Sequence, residues 1–209
     1  MAGGLRIGIL VSGRGSNMQA IVDGCADGSI PGAVVAVISD TESAPALERA
    51  RRAGVEAMFV DPWAYSCRAE FEDAVGDLLE ERSVHLVLLA GFMRVLKPGF
   101  IRRFKGRIMN IHPSLLPSFP GIEAQRQAIE YGVKWSGCTV HFVDDGVDTG
   151  PIVIQAAVPV EDGDTAETLA EKILCEEHRI YPEAVRLFAQ GRLVVEGRHV
   201  RVLPPRGVV

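Results

Sequence analysis

The chain has 209 residues, 47% of them apolar, and a formal net charge of −5. It is long enough to bury a sizeable core, and its moderate charge excludes a disordered polar polymer. The acidic balance argues against non-specific nucleic-acid binding. Cys25, Cys67, Cys138 and Cys175 lie far apart with no Cys-x-x-Cys pair. That fits reduced, mostly buried thiols in a cytoplasmic protein rather than a disulfide framework or a zinc site. Residues Met1 to Arg6 lack the basic start and apolar core of a signal peptide. No apolar run approaches the ~20 residues of a membrane span.

In chain order, Leu5 to Val11 is a short continuous apolar run ended by glycines, which predicts a buried parallel strand. Ser12-Gly13-Arg14-Gly15-Ser16-Asn17 follows, and then Met18, Ile21, Val22 and Cys25 recur at helical spacing. Ser16 with Gln19 fits a capping box. A glycine-rich turn leading into a helix N-terminus is a ready anion site. Met18 holds the place of the third glycine of a dinucleotide fingerprint, and no Gly-Lys-Ser/Thr follows. A single phosphate is therefore the expected ligand, with an unliganded tight turn as the alternative.

Ala33 to Ile38 predicts a second strand, about Glu42 to Ala53 a helix ended by Gly54, and Glu56 to Val60 a short strand. Ser66 is expected to cap a helix carrying Phe71, Ala74, Val75, Leu78 and Leu79. Arg68 would then sit in its first turn, where a cation opposes the helix dipole. This hints at an anionic ligand, against a solvated arginine. Val84 to Ala90 is the strongest strand pattern, with His85 structural at its start. Gly91 to Leu96 forms an apolar loop at the strand's carboxyl end, suited to a pocket wall. A short helix over Pro98 to Phe104 and a strand over Arg107 to Ile111 follow.

That last strand runs into His112-Pro113-Ser114-Leu115-Leu116-Pro117, where prolines forbid further ladder or helix. Asn110 and His112 are two apart, so both side chains leave one face of the strand. The carboxyl end of an open α/β sheet is where ligands bind. An imidazole moves a proton near neutral pH, and an Asn amide can hydrogen-bond an oxyanion. A structural Asn and His in an ordinary turn is the alternative.

Beyond Gly121, Glu123 to Tyr131 predicts a helix, and Gly137 to Val143 with Ile152 to Val160 an antiparallel strand pair. Asp148, in the loop between them, is the candidate carboxylate to raise and orient an imidazole, against a solvated turn Asp. Thr165 begins a long helical pattern that Pro182 should kink or divide. Glu177 falls on its apolar stripe, between Ile173 and Ile180, where a carboxylate needs a partner. A hairpin around Gly197 and a tail Leu203-Pro-Pro-Arg-Gly207 close the chain. The fold class expected is α/β: a doubly wound, mostly parallel twisted sheet with helices on both faces and an antiparallel edge. No linker marks a second domain.

Asn110-Ile-His112-Pro-Ser-Leu-Leu-Pro117 with Asp148-Thr-Gly-Pro-Ile152 resembles the folate-dependent formyltransferase superfamily, whose fold is Rossmann-like. The first turn, Ala90-Gly-Phe-Met-Arg-Val-Leu96, Glu177-His-Arg-Ile-Tyr-Pro182 and the tail narrow the likeness to its glycinamide ribonucleotide branch. The resemblance covers Ile7 to Gly207. It implies one domain over 1–209, with a nucleotide-binding half about 1–105 and a catalytic and folate-binding half about 84–209. It implies formyl transfer from 10-formyltetrahydrofolate to the amino group of glycinamide ribonucleotide, in de novo purine synthesis. Asn110, His112 and Asp148 would be catalytic, with Asp148 holding His112 in its charged form. Gly13, Gly15, Ser16, Asn17 and Glu177 would bind the ribonucleotide. Arg68, Met93, Arg94, Val95, Leu96 and Asn110 would bind the folate. No metal, nucleic acid or membrane is required, and a homodimer is left open. Arg14 and Glu123 depart from the family pattern. A tRNA-formylating relative would need an added domain and basic surface, and a hydrolase an N-terminal regulatory domain; neither is expected here. A non-catalytic nucleotide- or folate-binding protein is the reading from another class.

Overall fold

The computed structural model describes residues 4–205, so Met1 to Gly3 and the Arg206-Gly207 end of the tail motif lie outside the described residues. The chain falls into two compact units that divide between Asn110 and Ile111.

The first unit alternates strands and helices: β1 (Leu5–Val11), α1 (Ser16–Ala26), β2 (Gly32–Ser39), α2 (Pro45–Arg52), β3 (Ala57–Phe59), α3 (Arg68–Glu81), β4 (Leu86–Leu89), α4 (Pro98–Arg103) and β5 (Ile108–His112), whose last two residues begin the second unit. β1 pairs in parallel with β2 and β4, β2 with β3, and β4 with β5. Ile7, Ile9, Leu10, Leu86, Val87 and Leu88 are fully buried, as continuous apolar runs in a parallel sheet should be. Each such side chain contributes about 1.5–3 kcal/mol of transfer free energy. Gly8 interrupts the run because Leu79 of α3 packs against it; a Cβ there would stand 2.5 Å from the leucine Cδ2.

The second unit contains α5 (Ala124–Tyr131), β6 (Trp135–Phe142), β7 (Ile152–Pro159), α6 (Ala166–Ala189), β8 (Leu193–Glu196) and β9 (His199–Val202). β6 and β7 are antiparallel, with a register shift between Val140 and His141. β8 and β9 form a separate antiparallel hairpin. The seven-stranded sheet has the order β3-β2-β1-β4-β5-β6-β7, mostly parallel with an antiparallel pair at its edge, as expected. Among the described residues no helix is long and apolar enough to cross a membrane.

Several local expectations are corrected. α1 has no Ser16–Gln19 capping box: Gly15 is its N-cap, in the left-handed conformation, and offers no side chain, while Gln19 donates to Asp23 instead. α2 starts only at Pro45, whose missing N–H suits a first helical position. Cys67, not Ser66, occupies the cap of α3; Ser66 instead donates its N–H and hydroxyl to Glu70. Pro182 does not divide α6, which runs unbroken through it and is held by buried Ile180, Tyr181, Ala184 and Val185. Tertiary burial here outweighs the lost backbone bond.

Candidate active site

β5 carries Asn110 and His112 on one face, as two-residue spacing on a strand requires. His112 is 4% exposed. Its Nε2 lies 2.8 Å from the Phe119 carbonyl oxygen, which can only accept, so Nε2 carries the proton. Its Nδ1 lies 3.3 Å from Asp148 Oδ2. That carboxylate oxygen also accepts the Gly121 N–H at 2.8 Å. The other carboxylate oxygen lies 3.6 Å from Nε2 of the buried His141, whose Nδ1 donates to the Phe142 carbonyl at 2.8 Å. One carboxylate thus faces two imidazoles.

Asp148 occupies this place with φ 53, a left-handed conformation that Asp tolerates better than most residues. Burial alone would raise its pKa. The His141 contact, the Gly121 N–H and the two imidazoles outweigh that, and it titrates below the usual carboxylate range. His112 goes the other way from expectation. Burial pulls its pKa below 6.5, and the Phe119 carbonyl and Asp148 only partly push it back. The expected rise next to a carboxylate is therefore overridden by desolvation.

The loop after His112 is fastened by side chains. The fully buried Thr139 hydroxyl donates to the Ser114 carbonyl at 2.7 Å and accepts the Leu116 N–H at 3.1 Å. Gln155 of β7 donates to the Leu116 carbonyl at 3.0 Å and to Thr139 Oγ1 at 2.9 Å. The Leu116–Pro117 bond is cis. His141, Thr139, Gln155 and Phe119 were not singled out in the sequence. The available signal was the polar pair Thr139 and His141, two apart on a strand that is buried almost throughout. The bulge beside His141 had none; bulges adjoin active sites and re-aim side chains. Glu177 lies on the inner face of α6 and is 7% exposed, as its place in the apolar stripe predicted.

In the first unit, the turn Gly13 to Asn17 leads straight into α1. The first N–H groups of a helix have no partner within it. Gly15 needs to be glycine twice over: its φ is 74, and a Cβ would stand 2.6 Å from Ala46 Cβ in α2. Gly13 does not share this constraint toward the protein itself, because a Cβ there meets nothing within 4 Å. The turn is joined to the 91–97 loop: Ser12 donates its N–H to the Gly91 carbonyl, and its hydroxyl accepts the Met93 N–H at 2.9 Å. In that loop Met93 and Val95 are exposed and Leu96 is buried. Arg94 is committed to Asp40 at 2.6 Å and stacks over Phe71. Arg68 donates Nε to the buried Glu72 at 2.9 Å, while its Nη2 is buried without a hydrogen-bond partner. Glu72 also accepts the Lys97 N–H, tying α3 to the end of the loop. Among the described residues no cluster of His, Cys, Asp and Glu is placed to hold a metal ion.

In the second unit, an imidazole–carboxylate pair thus stands at the end of β5, with His112 two residues beyond Asn110. Residues 5–185 match the formyl transferase family, and the chain belongs to it. Phosphoribosylglycinamide formyltransferase of Escherichia coli (strain K12) is 41% identical over 207 residues, spanning 97% of this chain and 98% of that protein. The trifunctional purine biosynthetic protein adenosine-3 of Bos taurus is 46% identical over 195 residues, or 92% of this chain. The match spans only 19% of that longer protein. Among solved structures, glycinamide ribonucleotide transformylase 1 from Symbiobacterium toebii superposes with a TM-score of 0.95. It is 61% identical and covers 96% of this chain and 95% of its own.

Proposed function

We propose that the protein transfers the formyl group of 10-formyltetrahydrofolate to the amino group of glycinamide ribonucleotide, a step of purine synthesis in the cytoplasm. The observation that carries this reading is His112 held between Asp148 and the Phe119 carbonyl, two residues beyond Asn110. The substrate amine attacks the formyl carbon, forming a C–N bond and a tetrahedral oxyanion. Asn110 and the Nε2–H of His112 donate to that oxygen, which competes with the Phe119 carbonyl for the proton. Such donors, aimed where charge develops, are the largest single source of rate in acyl transfer. Collapse breaks the bond from the formyl carbon to the folate nitrogen, which takes up the proton lost by the amine. The ionised Asp148 favours the imidazolium as charge builds on the oxygen. No enzyme nucleophile is needed, because the substrate supplies one.

Backbone N–H groups of Gly13, Gly15, Ser16 and Asn17 take the phosphate of the ribonucleotide. Glu177 accepts hydrogen bonds from its ribose hydroxyls. The folate lies along Met93, Val95 and Leu96 and reaches Asn110. Arg94 contributes its backbone there, since its guanidinium is taken by Asp40. The spare Nη2 of Arg68 offers a donor to an anionic part of the folate. A steady-state assay with both substrates tests the reading. Formylated ribonucleotide and tetrahydrofolate should appear in equal amounts. Free formate without ribonucleotide formylation would replace transfer with hydrolysis.

A further inference from the structure

In the first unit, the loop after β4 alternates in burial residue by residue. Phe92 and Arg94 are half-buried and Leu96 is buried, whereas Met93 and Val95 are 72% and 55% exposed. Inward and outward side chains thus follow the two-residue period of an extended chain. The inward set places one charged residue, Arg94, between two apolar ones. Asp40 meets it there: Arg94 Nε donates to Asp40 Oδ2 at 2.6 Å, and the guanidinium carbon stands 5.6 Å from the centroid of the Phe71 ring. The Asp40 side chain is only 6% exposed. It is held at the carboxyl end of β2 by a closed turn, in which the fully buried Ser39 hydroxyl accepts the Thr41 N–H at 3.0 Å and donates to the Thr41 carbonyl at 2.9 Å. The Thr41 hydroxyl in turn donates to the other Asp40 oxygen. Because β1 lies between β2 and β4 in the sheet, the ion pair bridges the carboxyl end of β1.

We propose that Asp40 is a positioning residue for the formyl donor: it draws Arg94 inward and so holds Met93 and Val95 outward, on the face along which the folate lies. The proposal rests on the folate reading of this loop. A guanidinium buried without a partner is costly and does better in water. In a segment whose side chains alternate, turning one of them outward turns its neighbours inward, as a one-residue slip exchanges the two faces of a strand. Without Asp40, Arg94 would turn to solvent, and Met93 and Val95 would take up burial in its place. The apolar surface offered to a planar ring would then close. Asp40 blocks this exchange by making the inward place the favourable one for Arg94. The Ser12 hydroxyl on the Met93 N–H and the Glu72 carboxylate on the Lys97 N–H fasten the segment near its ends. Neither selects which face its middle presents. A nearly buried ion pair contributes little to stability compared with an apolar replacement; here it decides between two arrangements of the same loop.

The test compares the full chain with Asp40→Asn, which keeps the shape and an acceptor but removes the charge, and with Asp40→Ala, which removes both. Calorimetric titration with tetrahydrofolate reads the population of the outward form, because apparent affinity falls with the fraction of competent protein. Asp40→Ala should weaken tetrahydrofolate roughly tenfold, and Asp40→Asn should fall between it and the unaltered chain. Glycinamide ribonucleotide should bind nearly as before. In steady state the KM for 10-formyltetrahydrofolate should rise while kcat at saturating donor holds, the pattern of lost ground-state binding. Hydrogen exchange at the amides of residues 93–96 should quicken in Asp40→Ala while β1 and β4 stay protected. Unchanged tetrahydrofolate affinity in Asp40→Ala would overturn the proposal, even with a lowered urea midpoint, since Asp40 would then serve stability alone. An equal loss for both ligands would overturn it too. If the unaltered protein bound no tetrahydrofolate, the folate reading would fall and this proposal with it. Binding that Asp40→Ala leaves intact removes Asp40 alone.

Discussion

His112 is gripped at both ring nitrogens, and the grip predicts its kinetics. Its interaction with substrate strengthens only as the oxyanion forms. His112→Ala should therefore lower kcat by about 10²–10⁴-fold and leave KM for either substrate nearly unchanged. Equal losses in affinity would make it a binding residue instead. Gly13 and Gly15 allow two effects to be separated. Gly15→Ala forces a side chain into a left-handed conformation, costing about 1–3 kcal/mol, and drives its Cβ into Ala46. Its urea midpoint should fall. Gly13→Ala has room, so its midpoint should hold while ribonucleotide binding weakens, provided the phosphate approaches the backbone there. At this scale the sequence was legible where chemistry is local. Asn110 and His112 could be read from spacing along one strand. Thr139 meets the loop 25 residues away at Ser114, Gln155 joins it through the pairing of β6 with β7, and the bulge beside His141 leaves no mark in one sequence.

Among the elements, β6 is the support on which the loop rests. Thr139 uses its whole hydrogen-bonding capacity, one donor and two acceptors, on Ser114, Leu116 and Gln155. Thr139→Val should cost about 1–3 kcal/mol by orphaning buried backbone groups, whereas Thr139→Ser should restore most of it; chemical denaturation measures both. On α6, the stripe that buries Glu177 was readable from 3.6-residue periodicity, and the Thr165–Thr168 capping box fixes the helix start. Glu177→Gln should keep the fold and weaken glycinamide ribonucleotide by about 1.5–3 kcal/mol, the loss for a hydrogen bond to a charged group. Calorimetric titration should show folate binding little changed. The reverse pattern would exchange the two assignments. Helix ends were the least legible features. Caps depend on the backbone path into the helix, left-handed at Gly15 and extended at Cys67, and these two took places that side-chain chemistry favoured for Ser16 and Ser66.

For the molecule as a whole, the parallel strands of the first unit were legible because they are buried on both faces and read as unbroken apolar runs. The same burial sets the acid response. The folded pKa of His112 lies below its unfolded value of about 6.5. The unfolded chain therefore binds more protons between the two values, and stability falls as the pH drops through that window. His178, also shifted down by burial, adds the same sign. Asp148 contributes stability above its unfolded pKa of about 3.9 that is lost as the pH falls through its lower folded value. Melting temperature should thus decline steadily from neutral pH downward. His112→Gln should flatten the part that begins near pH 6.5, while a profile identical to wild type would remove His112 from the balance.

The fastening of the loop after His112 has a consequence for how this protein can change over evolutionary time. Its near end is pinned at Ser114 and Leu116 by Thr139 and Gln155, and its far end at Gly121 by Asp148. Inserting or deleting a residue between those pins would slide one against the other and carry Phe119 off His112. The pins therefore hold the length of the segment fixed. Length can change just beyond it, at the exposed Ile122 and Glu123, where added chain would extend into solvent and leave both pins in place.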